Sequence, residues 1–146
     1  MPSVRGCNLP DDLLYDVDNH IRFREEGDGN VKIGMTAVAT AMAGKLVAFT
    51  PKRVGRSVRA GKSAGTLESG KWVGPAKSAA GGEVVAVNDD LVADPSIANE
   101  DPYEKGWLII LKPEDWDAVK GGLVVGADVT GAYEAKMDSE GFAGCA

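Results

Sequence analysis

Short apolar runs separated by turn-forming residues make up the first three quarters of the chain. The runs are rich in Val, Ile and Leu, and the residues between them are mostly Gly, Pro, Asn and Asp, a combination typical of strands joined by turns. After the polar turn at residues 25–30, an apolar–polar alternation resumes at residues 31–33. The pattern predicts strands at residues 21–24, 31–33, 46–49, 63–67, 83–88 and 107–111.

Helices are predicted from their end signals. Thr36 is a good N-cap for a helix over residues 37–43, and Gly44 suits its end. Pro113 followed by three acidic residues predicts a second helix, which Gly121-Gly122 ends. Further short helices are expected within residues 91–98 and from Asp128 to about residue 136, the latter with Tyr133 facing inward. Residues 1–8 have no periodic pattern, and residues 139–146 are expected to form a mobile tail.

Composition supports a small β protein. The 146 residues are 44% hydrophobic but only 6% aromatic, and 19 of them are glycine, which favours one turn-rich domain with a core of aliphatic side chains. No apolar run approaches the length that spans a bilayer. The amino-terminal residues do not resemble a secretory signal, so we expect a cytoplasmic protein without a membrane span.

Charge is unevenly distributed along the chain. The net charge of −6 argues against nucleic acid as a partner. Residues 114–146 contain seven acidic and two basic residues, whereas the earlier part of the chain is almost neutral. That earlier part includes five bases without an intervening acid: Lys52, Arg53, Arg56, Arg59 and Lys62. These bases form either a solvated loop face or a docking patch for an acidic partner beside the turn described below.

The two cysteines, Cys7 and Cys145, lie near opposite ends of the chain. Their spacing fits no zinc pattern, and His20 is the only histidine. In a cytoplasmic protein two such cysteines are expected to be reduced thiols. Two alternatives remain open: the cysteines pair with each other, which requires the two chain ends to meet, or one of them takes part in redox chemistry.

A tight turn at residues 67–72 separates two of the predicted strands. Ser69-Gly70 is turn chemistry, because glycine tolerates positive φ and serine can bond its own backbone. This geometry predicts that Lys71 lies at the tip of a hairpin and faces water. Taken alone, an exposed lysine of this kind is usually only a solvated charge.

The sequence around this lysine resembles the glycine cleavage system H proteins. Glu68-Ser69-Gly70-Lys71 is similar to their Glu-Ser-x-Lys motif, in which the lysine carries lipoate in amide linkage. Further matching segments occur in the same order and spacing: the Leu-Pro-x-x-Leu-x-Tyr pattern beginning at Leu9, the Gly-Glu-Val-Val-Ala-Val-Asn run ending at Asn88, and Asn-Glu-Asp-Pro-Tyr followed by Gly-Trp-Leu within residues 99–108.

This resemblance implies a mainly β fold of the lipoyl/biotinyl barrel-sandwich type, with short peripheral helices and a C-terminal helical extension. It implies one carrier domain over residues 1–146, with a core at about 9–113 and an acidic extension over 114–146. It also implies a non-catalytic protein with lipoate covalently attached to Lys71. Glu68, Ser69 and Gly70 then form the attachment turn, no metal site is expected, and the partners include lipoate–protein ligase and dihydrolipoamide dehydrogenase.

Several residues depart from ordinary H proteins. Trp72 follows the lysine, His20-Ile21-Arg22 replaces His-Glu-Trp, and Cys7 and Cys145 flank the domain. These features, with residues 4–10, resemble the lipoate-binding proteins of the heterodisulfide reductase-like sulfur-oxidation system. That branch implies a lipoyl arm serving oxidation of sulfane sulfur or thiosulfate to sulfite, with a flavin and iron–sulfur complex and sulfur-transfer proteins as partners.

The alternative is a true H protein that carries an aminomethyl group among the glycine cleavage enzymes. A more distant alternative is an unmodified interaction module with the same fold.

Overall fold

The computed structural model describes residues 2–145. Across these residues there are twelve strands, most of them short. In chain order they are β1 (Ser3–Val4), β2 (Cys7–Asn8), β3 (Leu14–Asp16), β4 (Ile21–Glu25), β5 (Val31–Met35), β6 (Leu46–Pro51), β7 (Ser57–Val58), β8 (Lys62–Ser69), β9 (Val73–Ser78), β10 (Gly82–Val87), β11 (Trp107–Pro113) and β12 (Val124–Val125).

Five α-helices lie between and after the strands of the described chain. They are α1 (Ala37–Ala43), α2 (Asp89–Ala93), α3 (Ile97–Glu100), α4 (Trp116–Gly121) and α5 (Val129–Glu140). Helix α1 begins as predicted, because the Thr36 hydroxyl accepts a hydrogen bond from the Ala39 amide at 3.2 Å. Asp128 precedes α5 as predicted, but its side chain makes no capping hydrogen bond. None of the helices in the described part of the chain is long and apolar enough to cross a membrane.

Two antiparallel sheets form the body of the protein. One has seven strands in the order β12-β3-β4-β5-β11-β10-β7, and the other has three in the order β6-β8-β9. Along β8 the buried residues Leu67 and Ser69 alternate with the exposed Glu68, which matches the period of two that a half-buried strand requires. The mainly β prediction is therefore confirmed.

Aliphatic side chains from both sheets meet in the main core. Most of its largest buried members are aliphatic, as the composition predicts. They are Phe23, Ile33, Leu46, Leu67, Leu91, Leu108, Ile109 and Leu111. Arg22 is a buried exception, and its Nη2 donates to the Pro102 carbonyl at 2.9 Å. Burial lowers the pKa of Arg22 to about 10. A Cβ at Gly34 would lie 2.7 Å from this guanidinium, so a larger residue there would displace the buried Arg22 side chain.

A second apolar cluster lies beneath the C-terminal helix. Tyr133 and Met137 of α5 pack with Val38 of α1, with Tyr15, and with residues from the amino-terminal end of the chain. Tyr133 faces inward as predicted. The extension is therefore packed against the rest of the fold.

Both chain ends differ from the prediction. Residues near the amino terminus form the hairpin β1–β2, with Ser3 opposite Asn8, although no periodic pattern marks them. Helix α5 extends to Glu140, and the Cys145 amide donates to the Arg5 carbonyl at 3.0 Å. The prediction of a mobile tail is wrong for residues 139–145, because the tail is tied to the amino-terminal hairpin. Ala146 lies outside the described residues.

The state of the two cysteines also differs from the main expectation. Cys7 and Cys145 form a disulfide, with their Cα atoms 5.0 Å apart and a sequence separation of 138. The expectation of two reduced thiols is therefore wrong for this structure. The physical reason is that hairpin β1–β2 and the segment after α5 lie side by side, so that the two ends of the chain meet.

Candidate functional site

The turn between β8 and β9 presents Lys71. Glu68 pairs with Val73 in the β8–β9 register, and the Ser69 amide donates to the Trp72 carbonyl at 2.7 Å. The buried Ser69 hydroxyl accepts a hydrogen bond from the Lys71 amide at 3.3 Å. The turn is thus closed by its own backbone and by one buried side chain, which gives it a defined shape.

The Lys71 side chain is exposed and lies over the end of α1. Among residues 2–145 it has no ion-pair partner. Its stem crosses Gly44, where an added Cβ would lie 3.1 Å from Lys71 Cε. Gly44 has a φ of 80°, a left-handed value that favours glycine. Glycine at this position therefore ends α1 and leaves room for the lysine stem.

The Asn99 side chain fixes the backbone at Gly44, over which the Lys71 stem lies. Its side-chain amide donates to the Gly44 carbonyl at 2.8 Å and to the Thr40 carbonyl at 3.4 Å. Its side-chain oxygen accepts a hydrogen bond from the Leu46 amide at 2.9 Å. One side chain thus joins α3, the end of α1 and the start of β6. This is the structural role of the asparagine in the Asn-Glu-Asp-Pro-Tyr segment.

A cleft of about 280 Å³ opens beside the turn. Most of its wall is apolar and comes from α1, β4, β5, β8 and β9, whereas Asn19, His20 and Glu140 supply polar groups. Trp72 forms part of the rim, and its indole lies against Gly74. The cleft is therefore open to a largely apolar chain attached at the turn.

His20 links this cleft to the C-terminal helix. Its Nε2 lies 2.8 Å from Glu140 Oε1, and its Nδ1 lies 3.3 Å from the Tyr133 hydroxyl. Tyr133 in turn donates to the Thr36 hydroxyl at 3.2 Å. Burial raises the pKa of Tyr133, so this hydroxyl keeps its proton across the physiological range. The only histidine of the chain thus has a defined orientation at the edge of the cleft.

The five bases of residues 52–62 are exposed, and none of them forms an ion pair within the described chain. They lie at the opposite end of β8 from Lys71, because Pro51 pairs with Gly65 and Leu46 pairs with Ser69. Strand β8 has eight residues, which separates its ends by about 23 Å. Of the two interpretations of these bases, the docking patch beside the Lys71 turn is wrong, because the strand register places them at the far end of the hairpin; a solvated loop face agrees with their exposure.

The structure brings Glu68, Ser69, Gly70 and Lys71 together and leaves Cys7 and Cys145 outside the turn. Glu68 points into solvent next to the lysine. Sequence reasoning did not assign Gly44, Asn99 or Glu140 to the site. Gly44 lies under the Lys71 stem, Asn99 bonds the Gly44 carbonyl, and Glu140 lines the cleft beside the turn. The described residues contain no group of three or more His, Cys, Asp or Glu side chains that could hold a metal ion.

Comparison with known proteins identifies relatives of this arrangement. A sequence model of the family described as glycine cleavage H-protein matches residues 13–136. Glycine cleavage system H protein 5 of Aquifex aeolicus is 48% identical over 127 residues, covering 85% of this chain and 86% of the relative. Probable glycine cleavage system H protein 2 of Sulfurisphaera tokodaii is 37% identical over 142 residues, covering 96% and 95%.

A solved structure has the same fold. The crystal structure of a glycine cleavage system H protein from Mycobacterium marinum matches with a TM-score of 0.75 and 33% identity, covering 86% of this chain and 98% of the other. This likeness confirms the barrel-sandwich prediction. With matches of this extent in both sequence and structure, the chain belongs to the glycine cleavage H-protein family, whose members are non-catalytic lipoyl carriers serving partner enzymes.

Proposed function

We propose that this protein is a lipoyl carrier and that the lipoyl group is attached to Lys71. The observation that carries the proposal is the exposed lysine at the tip of a closed β8–β9 turn, where no ion pair to another described residue occupies it. A carrier lysine must reach a ligase and several partner enzymes, so it needs exposure and a fixed base. Glu68, exposed beside the lysine, is proposed to help lipoate–protein ligase recognise the turn.

The protein then supplies presentation, and the attached group supplies the chemistry. Amide formation at Lys71 Nζ removes the lysine charge. The neutral arm suits the cleft beside the turn, whose walls are apolar around Met35, Met42 and Leu67. The arm carries a dithiolane, which cycles between disulfide and dithiol by thiolate exchange. This chain's own residues hold the arm's base and offer a surface against which the arm can rest.

For the partner system, we propose the aminomethyl-carrying role of glycine cleavage. The relatives that cover most of this chain are named glycine cleavage system H proteins. The cleft also suits this cargo, because Glu140, whose Oε1 contacts His20 at 2.8 Å and Lys136 at 3.5 Å, places a carboxylate at the end of an apolar wall. A carboxylate there would pair with the ammonium form of an amine on the arm. Glycine decarboxylase, aminomethyltransferase and dihydrolipoamide dehydrogenase are then the partner enzymes.

A second candidate is the sulfur-oxidation branch, with a heterodisulfide reductase-like complex and sulfur-transfer proteins as partners. The observation that favours it is the Cys7–Cys145 pair, which joins segments outside the matched residues 13–136. Trp72, which follows the lysine, is a second departure from ordinary H proteins, and it is among the features that resemble the sulfur-oxidation branch. Relatives numbered 2, 3 and 5 occur together in Aquifex aeolicus, so one organism can hold several carriers of this type.

The attachment site is tested with purified lipoate–protein ligase, lipoate and ATP. We expect one lipoyl group on the wild-type chain and none on Lys71→Arg, which keeps the positive charge but removes the primary amine. Lys77→Arg is the matched control, since Lys77 is exposed on the same hairpin. It should be labelled like the wild type. Labelling of Lys71→Arg with an unchanged circular dichroism spectrum would exclude this site.

The partner system is tested with the lipoylated chain. Glycine and glycine decarboxylase should transfer an aminomethyl group to the oxidised dithiolane with release of carbon dioxide, and intact mass detects that group on the arm. If the arm gains no such group but supports sulfite formation by the heterodisulfide reductase-like complex, the second candidate is correct and the first is excluded.

A further inference from the structure

The Cys7–Cys145 disulfide lies at the beginning of α1. Cys145 Sγ is 3.7 Å from the Ala37 carbonyl, the first residue of that helix. Cys7 is completely buried in the second apolar cluster, whereas Cys145 is exposed. One sulfur of the bond therefore belongs to a residue on the surface, and the other belongs to a residue in the interior.

A groove of about 580 Å³ runs past this disulfide. Its walls include Cys145 and Ala37 at one end and Thr40, Ala41 and Asn99 further along α1. Asn99 is the residue that holds the Gly44 carbonyl at 2.8 Å. The Lys71 stem crosses Gly44, so Asn99 lies between the groove and the residue beneath the lysine stem.

The length of α1 sets the distance between these two features. The helix has seven residues, which corresponds to about 10 Å. An eight-carbon lipoyl chain on Lys71 Nζ has a reach of the same order. We propose that the Cys7–Cys145 disulfide is a second two-electron site, which accepts the electron pair of a dihydrolipoyl group on Lys71. This inference rests on the proposed function, since it requires the lipoyl arm.

The exchange proceeds in two balanced steps. A dihydrolipoyl thiolate attacks Cys145 Sγ, the bond to Cys7 breaks, and Cys7 leaves as a thiolate that takes up a proton. The second dihydrolipoyl thiolate then attacks the arm sulfur of this mixed disulfide and releases Cys145. The arm ends as an oxidised dithiolane, and the two cysteines end as thiols that carry the two protons lost by the arm.

Charge around the groove would select a neutral dithiol. Asp12, Glu100, Asp101 and Glu104 line it with a single base, Arg24. Arg24 already contacts Asp12 at 3.7 Å and Glu104 at 3.5 Å, so the net field is negative. Anionic thiols are repelled by such a surface, and the repulsion weakens as salt is added. A lipoyl amide arm lacks the carboxylate of free dihydrolipoate, so it meets this barrier only through its attacking thiolate.

The competing role for the bond is a permanent staple that joins the chain ends. The two roles differ in how the disulfide responds to dithiols. The lipoylated protein is incubated without oxygen with NADH and a catalytic amount of dihydrolipoamide dehydrogenase. Samples are quenched in acid, thiols are alkylated, and intact mass counts them per chain.

We expect four alkylated thiols, two on the arm and two from Cys7 and Cys145. Their appearance should follow a first-order rate that does not change when the protein is diluted, because the donor is attached to the same chain. A tethered donor acts at an effective concentration in the millimolar range. The Lys71→Arg chain with about 10 μM free dihydrolipoamide should therefore react about a hundredfold more slowly.

Free dithiols test the groove separately from the arm. In millimolar excess, dihydrolipoamide should open the disulfide of the Lys71→Arg chain faster than the anionic dihydrolipoate does, and added salt should remove the difference. A lipoylated chain that stops at two alkylated thiols, with Cys7 and Cys145 still bonded, overturns the proposal. A chain that accepts no lipoate refutes the proposed function and the transfer together, and its mass before reduction identifies that case.

Discussion

Replacing Asn99 by alanine tests how the base of the Lys71 turn is held. The substitution removes the acceptor of the Leu46 amide and the donor to the Gly44 and Thr40 carbonyls. Leu46 is 1% exposed, so its amide cannot turn to bulk water. A buried donor without a partner costs about 1–3 kcal/mol, and the other lost bonds add smaller amounts. We expect the free energy of unfolding to fall by about 3 kcal/mol, or about 6–12 °C in Tm.

The assay is urea unfolding followed by the fluorescence of the three tryptophans, with the midpoint and slope fitted together. Glu100→Ala is the matched control, because Glu100 is the next residue of α3 and its exposed side chain makes no hydrogen bond or ion pair within residues 2–145. The control should stay within about 0.5 kcal/mol of the wild type. If Asn99→Ala is no less stable than Glu100→Ala, the account of the turn's support is wrong.

Two further predictions concern stability. Cys145→Ser removes a disulfide with a sequence separation of 138. The chain-entropy model gives a fall of about 5 kcal/mol in the free energy of unfolding. A fall below about 1 kcal/mol in urea unfolding would contradict the packing of the two ends. Hydrogen bonds from Trp116 and then Lys120 lower the pKa of Glu25, so its stabilising contribution is complete above the ordinary carboxyl pKa of about 4.3 and is lost as the pH falls through the lower folded value. Glu25→Gln should therefore flatten the acid side of the stability–pH curve, and an unchanged acid limb would refute this.

Six strands and the Lys71 turn could be predicted because their signals are local, whereas β9, which completes the hairpin at the turn, was not predicted. Thr36 and Gly44 mark the ends of α1 by their own chemistry, and the Ser69 hydroxyl bonds the turn backbone as predicted, whereas Gly70 does not adopt the positive φ expected of it. Five of these six strands are one to three residues longer than predicted, and β10 begins and ends one residue earlier than predicted, because an apolar pattern locates a strand better than its ends. The expectation that Lys71 is an attachment site followed from a resemblance spread over several segments, because no single motif was sufficient.

Contacts between distant segments could not be predicted in the same way. His20 and Glu140 are 120 residues apart and meet only when α5 packs on the body. The meeting of Cys7 and Cys145 depends on a hairpin that has no hydrophobic pattern of its own. The placement of the bases at the far end of β8 depends on strand register, which composition does not contain.

The most direct test of the carrier assignment is the mass of the protein purified from its own host, followed by peptide mapping. We predict a population bearing one lipoyl group, located on Lys71. Lipoate mapped to Lys62 or Lys77 instead, or a chain that is wholly unmodified while other lipoyl proteins of the same cells are loaded, would contradict the central claim.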